Sequence, residues 1–229
     1  MSHPVDAPAT RMVVRVFGLI AALAGTEHGI GEILQGPIAP FGVVVPSWPG
    51  SPFFRIEGGE PALVLIPDLR TAGLVTIVVS ALLTIRAWRA ANSAPRWRAE
   101  LLALSVALLL AGGGFGPPLL GCAIAAMAGR THRSPRMDRH PVLRSRLAAF
   151  FPATLYAAVA AWLLVLPGLP LIDQVVGVSG VLVGPTVALA ALALLLAVAS
   201  ARATDAVSSG QEATLNAGLV PGVRAGWAK

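Results

Sequence analysis

The sequence predicts an all-α protein: a polytopic membrane helix bundle with five apolar helical segments, of which the third is broken or re-entrant. Composition is the first reason, because 55% of the 229 residues are hydrophobic and only 12% are charged, whereas a soluble domain carries about 25% charged residues. The second reason is that the apolar runs reach the roughly 20 residues that a helix needs to cross a bilayer. The third is the placement of arginines in short connections, which is typical of the cytoplasmic side of membrane proteins. That placement argues against a nucleic-acid partner despite the net charge of +6.

The apolar segments belong to one predicted transmembrane domain, residues 12–200. It follows a cytoplasmic N-terminal tail, residues 1–11, and precedes a tail from 201 to 229 that we expect to be disordered because it is rich in Ala, Gly and Ser. Pro152 and Pro185 fall within the fourth and fifth segments and predict kinks or local breaks there. The five segments are residues 12–34, 68–88, 101–128, 147–166 and 175–200.

The third segment is interrupted by a run that reads Gly-Gly-Gly-Phe-Gly-Pro-Pro. Glycine is conformationally permissive and proline lacks a backbone donor, so this run cannot continue a regular helix. If the segment enters and leaves on one side, nearly all basic residues of the connections share that side, which we take as cytoplasmic, and only Arg55 lies opposite. The alternative is one long, kinked helix that crosses with tilt. The residues of the break are Gly112, Gly113, Gly114, Gly116, Pro117 and Pro118.

In the re-entrant arrangement, each arm of about 11 residues reaches about the middle of the bilayer. We therefore expect the break at mid-depth. Its exposed backbone groups would coordinate an ion or an anionic group, as in transporters with broken helices. The structural alternative is that the glycines only allow close helix contact.

The first segment contains ionisable residues within an apolar run, because residues 25–36 read Gly-Thr-Glu-His-Gly-Ile-Gly-Glu-Ile-Leu-Gln-Gly. An ionisable side chain at the centre of a span costs roughly 2.5–3.5 kcal/mol on insertion scales, so this run is the default functional site. Helical geometry places His28, Glu32 and Gln35 on one flank and Glu27 on the opposite side. Beside that flank runs a stripe that favours close packing of a second helix. The stripe consists of Gly18, Gly25, Gly29 and Gly36.

The connection after this helix, residues 35–61, is rich in proline and aromatic residues, which predicts a non-helical loop that lies on the outer membrane surface and caps the bundle. We expect Asp68 and Arg70, at the start of the second segment, to be the polar partners of the first, with Arg70 neutralising Glu27 or Glu32. The loop residues expected to extend this network are Arg55, Glu57 and Glu60.

Three chemical interpretations of the polar run remain open. His28 and Glu32 are spaced as two ligands on one helix face, but a structural zinc needs four ligands and a catalytic zinc usually three, so the metal site is left unassigned. A buried, hydrogen-bonded structural network and an ion or proton relay are the alternatives. We predict no catalytic residue and no cofactor, and we interpret Cys122, the only cysteine, as a packing residue.

A signal peptide is a further alternative for the N-terminal region. Residues 11–24 have a basic start and an apolar run that ends in Ala-Leu-Ala, which resembles a cleavage site. Arg15 interrupts this run and apolar residues continue through Leu34, which favours an uncleaved helix.

Two motifs carry a resemblance to a known family. Residues 27–36 (EHGIGEILQG) and residues 112–121 (GGGFGPPLLG) resemble a family of small prokaryotic integral membrane proteins. The resemblance runs from about residue 16 to 130. It implies a multi-helix membrane fold and no particular activity.

These observations lead to a functional expectation. We expect a multi-pass protein of the cell membrane with a cytoplasmic N-terminus and cytoplasmic basic loops, acting as a small transporter or permeation-type protein with a polar site near the outer face. A non-catalytic membrane scaffold or assembly subunit is the alternative, and a metal-dependent intramembrane enzyme is a weaker one. The expected partners are the lipid bilayer, anionic headgroups at the Arg-rich loops, and a second copy of the chain bound through the glycine stripe.

Overall fold

The computed structural model describes residues 8–89, 95–128 and 141–219. Most of this part of the chain is helical, as predicted. Between α1 and α2, the strands β1 (Val44–Pro46) and β2 (Pro61–Leu63) pair antiparallel and flank a 3₁₀ turn, Arg55–Glu57. The helices are α1 Pro8–Gln35, α2 Leu69–Trp88, α3 Pro95–Ala111, α4 Gly116–Ala128, α5 Pro141–Ala149, α6 Phe151–Leu163, α7 Leu169–Val176 and α8 Val183–Leu219.

Four helices are long and apolar enough to cross a membrane. Large apolar side chains on their outer faces are exposed, for example Val78 on α2 and Leu192 on α8. Such faces are compatible with contact to lipid. The prediction of five crossing segments is not confirmed, because the third segment is not among these helices. The four are Pro8–Gln35, Leu69–Trp88, Phe151–Val176 and Gly180–Gly210.

The third apolar segment forms a helical hairpin, in which α3 and α4 are joined by residues 112–115. Ser105 and Gly121, at similar separations from the turn, lie against each other, so the two helices are antiparallel. Trp97, early in α3, donates a hydrogen bond to the carbonyl of Arg86 at the end of α2 (2.9 Å). The hairpin therefore begins beside the end of α2 and returns towards that end.

The break between α3 and α4 lies at one end of the bundle and not halfway along it. The amide of Leu65 donates to the carbonyl of Leu110 (3.1 Å), and Val64 forms a β-bridge with Ala111. The 17 residues of α3 extend about 25 Å, which is enough to carry the break to this end of the bundle. The depth of the break in a bilayer stays a prediction. We call the end covered by residues 36–68 the capped end, and the opposite one the far end.

The glycine stripe of α1 packs against α2 of the same chain. A Cβ at Gly29 would lie 2.7 Å from the carbonyl oxygen of Gly73, and one at Gly25 would lie 2.7 Å from Ser80 Oγ. Gly18 meets Ala87 in the same way, whereas Gly36 has no neighbour within 4 Å. The predicted close packing is therefore present within the chain, and a second copy would have to use another surface than Gly18, Gly25 and Gly29.

The C-terminal region is helical where the sequence predicted a disordered tail. Residues 201–219 continue α8 and are not disordered; residues 220–229 lie outside the described ranges. The Ala-rich composition was interpreted as disorder, but alanine has the highest helix propensity. The buried carboxylate of Asp205 anchors this helix by accepting hydrogen bonds from the amides of Ala9 (2.9 Å) and Thr10 (3.0 Å) at the start of α1.

The two prolines lie where helices begin. Pro152 and Pro185 are in the first turns of α6 and α8, where the missing backbone donor has no helical acceptor to lose. The chain is interrupted just before Pro152, because α5 ends at Ala149 and α6 begins at Phe151. A further interruption, which the sequence did not indicate, is the π-helical turn Leu164–Gly168, which contains Pro167 and joins α6 to α7. These two helices therefore form one continuous element, Phe151–Val176.

The contact between Gly29 and Gly73 predicts a large effect of a side chain at this position. Gly73→Val would force a side chain into the backbone of α1 and should destabilise the fold by about 1–3 kcal/mol, the usual cost of overpacking. The measurement is the thermal midpoint of the purified protein in detergent. Gly184→Val is the control, because Gly184 is exposed near the start of α8 and has no neighbour within 4 Å. Equal midpoints for the two variants would contradict this packing.

Candidate functional site

The connection between α1 and α2 folds over the end of α1 and forms a cap. Gln35, at the C-terminus of α1, donates hydrogen bonds through Nε2 to the carbonyls of Pro46 (3.1 Å) and Ser47 (2.9 Å). The pairing of β1 and β2 is continued by a hydrogen bond from the amide of Ser47 to the carbonyl of Glu60 (3.0 Å). The predicted capping role of this connection is therefore present, and Gln35 contributes by holding the cap.

Aromatic residues form the inner layer of the cap. Trp48 stacks on Phe54 with ring centroids 5.4 Å apart, and Phe53 meets Phe54 edge-on at 4.8 Å. The indole of Trp48 also lies against Gly31, where a Cβ would be 2.7 Å from the ring. The absence of a side chain at Gly31 therefore lets the cap approach α1 next to its ionisable residues.

Four ionisable residues gather under the cap, and we call them the acidic–histidine cluster: Glu27, His28, Glu57 and Glu60. One ligand atom each from Glu27, His28 and Glu60 lies within 4.8 Å of the other two. His28 Nε2 is 3.5 Å from Glu60 Oε2, and Nδ1 is 2.9 Å from the hydroxyl of the buried Ser47. The cluster thus combines two residues of α1 with two residues of the cap.

The backbone at Glu60 is unusual. Within the described ranges, Glu60 is the only non-glycine residue with positive φ (55°), and it follows Gly58 and Gly59, which also have positive φ (67° and 79°). A left-handed conformation is unfavourable for a residue with a Cβ, and such residues are concentrated at functional sites. With the chain in this turn, the Glu60 carboxylate lies 3.5 Å from His28 Nε2.

Burial dominates the electrostatics of the cap residues. It raises the pKa of Glu60 to about 11, and the neighbouring carboxyl groups of Glu27 and Glu57 raise this pKa further. Burial also raises the pKa of Glu57. The cluster therefore cannot hold its full negative charge at neutral pH unless a cation is close to it.

The glycine break contacts the ionisable run of α1 directly. A Cβ at Gly114 would overlap the imidazole of His28, and a Cβ at Gly112 would overlap the carboxylate of Glu32. Both glycines have positive φ (69° and 120°), so a side chain is unfavourable there for two separate reasons. The two motifs that stand out in the sequence therefore form one site.

Glu32 is the most enclosed member of this site. It is fully buried, and neither of its carboxylate oxygens has a hydrogen-bond partner in the described part of the chain. Buried polar groups are normally hydrogen-bonded, so an unpartnered carboxylate requires an explanation. The predicted pairing with Arg70 does not explain it. Arg70 is exposed, and both carboxylate oxygens of Glu32 remain without a partner.

Asp68 and the other predicted partner, Arg55, have structural roles elsewhere. Asp68 is the N-cap of α2 and accepts a hydrogen bond from the amide of Thr71 (2.7 Å), which lowers the pKa of Asp68. Arg55 points away from the cluster and forms a two-pronged ion pair with Asp173 of α7 (2.8 and 2.9 Å). The sequence analysis did not identify Ser47 or Asp173, because neither belongs to a recognisable motif.

Comparison with protein-family models, curated proteins and solved structures finds no match for this chain.

The close contact of Gly114 with His28 predicts that a methyl group at residue 114 lowers stability, whereas one at residue 116 does not. Gly114→Ala would displace the imidazole and strain the backbone, and we expect a loss of about 1–3 kcal/mol in stability. Gly116→Ala, two residues later, is the matched control because Gly116 has no neighbour within 4 Å. Thermal midpoints in detergent measure both variants; an unchanged midpoint for Gly114→Ala would refute the contact.

The ion pair between Arg55 and Asp173 predicts that removing the cation and removing the anion will change stability by different amounts. The Asp173 side chain is fully buried, whereas that of Arg55 is 68% exposed. Arg55→Ala would leave a buried carboxylate without its cation and should cost about 1–3 kcal/mol. Asp173→Asn removes that buried charge while the guanidinium stays in contact with solvent, so this variant should be the more stable of the two. The reverse order of thermal midpoints would show that the pair does not hold the cap.

Proposed function

We propose that this protein moves cations across a membrane and binds them at the acidic–histidine cluster. The observation that supports this proposal is the set of buried polar atoms without partners in the described part of the chain. At the site they are Glu27 Oε1, both oxygens of Glu32 and Glu60 Oε2. Glu27 and Glu57 each share a side-chain hydrogen bond with Glu60 and still leave one buried oxygen of Glu27 and one of Glu60 open, whereas Glu32 has no partner in that part of the chain. A site that exchanges a ligand leaves such oxygens open to it.

The charge of the cluster favours a cation as that ligand. Three carboxyl groups face one imidazole, and Arg55, the basic residue of the cap, is paired with Asp173 instead. Carboxylates and histidines inside a membrane-spanning bundle commonly bind or relay cations. An anionic ligand would be repelled by this arrangement.

Further polar groups continue from the cluster into the bundle. Thr76 and Ser80 of α2 are fully buried, and their hydroxyl oxygens have no partner among the described residues. Ser80 faces Gly25, one helical turn along α1 from the Gly29–Gly73 contact. These hydroxyls mark the seam between α1 and α2 as the proposed route from the cluster towards the far end.

The proposal also assigns an orientation, with the capped end outside and the far end in the cytoplasm. Basic residues support this assignment because they collect at the far end. Arg15 donates through Nε to the carbonyl of Trp88 (3.1 Å), and Arg86 pairs with Glu100 (3.1 Å). Arg202 donates to the carbonyl of Met127 at the end of α4 (3.3 Å).

The alternative function is that of a membrane scaffold, in which the polar groups only stabilise the bundle. The close packing of α1 on α2 and the ion pair between the cap and α7 favour a rigid bundle and are expected for either function. The two functions differ in what happens when a buried carboxylate is neutralised without change of shape. A scaffold would lose or gain stability, whereas a transporter would lose flux.

The test is cation flux into proteoliposomes that contain the purified protein. We expect at least one ion among H⁺, Na⁺, K⁺, Mn²⁺ and Zn²⁺ to enter faster than into protein-free liposomes. Glu32→Gln and Glu60→Gln should each reduce this rate at least tenfold while the folded yield is retained, because each replaces a carboxylate oxygen that would bind the ion.

Glu100→Gln is the matched control, since Glu100 is a carboxylate of the far end that is paired with Arg86. It should transport at the wild-type rate. If none of the ions enters above the protein-free background, the transport function is wrong. If the two site variants lose folded yield and not flux, the scaffold function is supported instead.

A further inference from the structure

We infer that Glu27, His28 and Glu60 bind a divalent first-row transition metal ion. The inference deepens the proposed function, on which it rests for the role of the ion as cargo, because it names the chemical class of the cation. The binding itself does not require transport.

The positions of the ligand atoms support a single ion between them. Three ligand atoms, one from each residue, lie within 4.8 Å of one another. Zinc is bound at about 2.0–2.2 Å by nitrogen and oxygen ligands, which places the ligand atoms about 3.3–3.6 Å apart in tetrahedral geometry. Small rotations of the two carboxylates would bring the ligand atoms from the observed separations to those of a tetrahedral site, with the imidazole held in place.

The imidazole is held by a partner outside the ligand set. When His28 carries its proton on Nδ1, it donates to the Ser47 hydroxyl at 2.9 Å, and the lone pair of Nε2 is directed towards Glu60. Metal-bound histidines almost always donate their other ring N–H to a neighbouring group, which fixes the ring orientation. Ser47 is fully buried, so this hydrogen bond is not shared with solvent.

The burial and the separation of the Glu60 and His28 ligand atoms also point to a ligand at this place. The Glu60 side chain is nine-tenths buried, and its Oε2 has no hydrogen-bond partner within the described ranges although it lies only 3.5 Å from His28 Nε2. At this separation the two atoms do not form a good hydrogen bond, since the usual distance is 2.7–3.2 Å. Both atoms are therefore available to the same cation.

The kind of ligand atoms selects the metal. One imidazole nitrogen with two carboxylates suits Zn²⁺, Mn²⁺, Fe²⁺ or Co²⁺, whereas Ca²⁺ and Mg²⁺ prefer oxygen ligands alone. Cu⁺ prefers sulfur, and Cys122 lies on α4 next to Ser105, outside the cluster. Three protein ligands leave a coordination position for water or for the carboxylate of Glu57, and an open position allows the ion to be exchanged.

Binding should also tie the cap to α1, because Glu60 belongs to the cap and the other two ligands belong to α1. A ligand that binds only the folded protein raises the free energy of unfolding. When the free ligand exceeds the dissociation constant, this rise grows with the logarithm of the ratio of the two. A metal-dependent rise of the thermal midpoint is therefore a readout that does not depend on transport.

The experiment uses the full chain, purified in detergent and freed of metal with a chelator that is then removed. Calorimetric titration and thermal midpoints are recorded with Zn²⁺, Mn²⁺, Ca²⁺ and Mg²⁺. We expect one Zn²⁺ or Mn²⁺ to bind per chain and to raise the midpoint, while Ca²⁺ and Mg²⁺ at the same concentration bind at least tenfold more weakly.

The variants Glu60→Gln and His28→Gln should each weaken binding at least tenfold, and Glu100→Gln should bind as the wild type does. If His28→Gln does not fold, Glu60→Gln and Glu27→Gln provide the same test from the cap and from α1. Failure of both transition metals to bind, equal binding of Ca²⁺, or wild-type affinity of Glu60→Gln would overturn the inference.

The outcomes also separate this inference from the proposed function. Tight binding of Zn²⁺ or Mn²⁺ without flux in proteoliposomes supports the metal site and contradicts transport. Flux of a monovalent cation without binding of a transition metal contradicts the metal site and leaves transport in place.

Discussion

The structure depends on how the ionisable residues of α1 are compensated inside an apolar bundle. Glu27, His28 and Glu32 lie within one and a half turns of a helix that is otherwise apolar. Each would be unfavourable against lipid or an aliphatic core. The chain surrounds them on one side with the cap, which supplies Ser47 and Glu60, and on another with a turn that meets them through two glycines, Gly112 and Gly114.

This constraint explains why glycine occurs at so many contacts of α1. Gly29 and Gly73 let the backbones of α1 and α2 meet, Gly31 admits the indole of Trp48, and the turn between α3 and α4 leaves room for the side chains of His28 and Glu32. A Cβ at any of these places would push away the element that shields the ionisable groups. The glycines are thus required by the polar residues and not only by helix packing.

The same arrangement makes α1 the central element of the bundle. Its capped end carries the site, its middle packs on α2, and its first turn is held by Asp205 of α8. The cap is held independently by Arg55 and Asp173. A change at the far end is therefore separated from the site by the length of α1, whereas a change in the cap acts on the site directly.

Much of the fold could be predicted from sequence, because apolar runs, prolines and glycines report local structure. The break after Ala111 and the non-helical cap were both identified in this way. The importance of Glu27, His28 and Glu32 stays a prediction. Periodicity assigns a residue to a face of its helix but does not name the element that meets this face. For that reason the contact of His28 with Gly114 and the position of Glu60 could not be derived.

The errors have the same origin. Arg70 was assigned to Glu27 or Glu32 on proximity in topology, but the exposed Arg70 does not pair with the buried Glu32. The helix before the break was predicted to begin at residue 101, whereas polar residues at the start of α3 extend it by about a turn and a half. Helix length is set by hydrogen bonding and capping, and hydropathy alone underestimates it.

The central claim is that a cation completes the buried cluster under the cap. The most direct measurement is X-ray absorption at the zinc edge of the chelator-treated, Zn²⁺-loaded full chain. The account predicts nitrogen and oxygen ligands at about 2.0–2.2 Å with the outer-shell scattering of one imidazole, and loss of the imidazole signal in His28→Gln. A shell of oxygen ligands without imidazole scattering in the wild-type protein would contradict it.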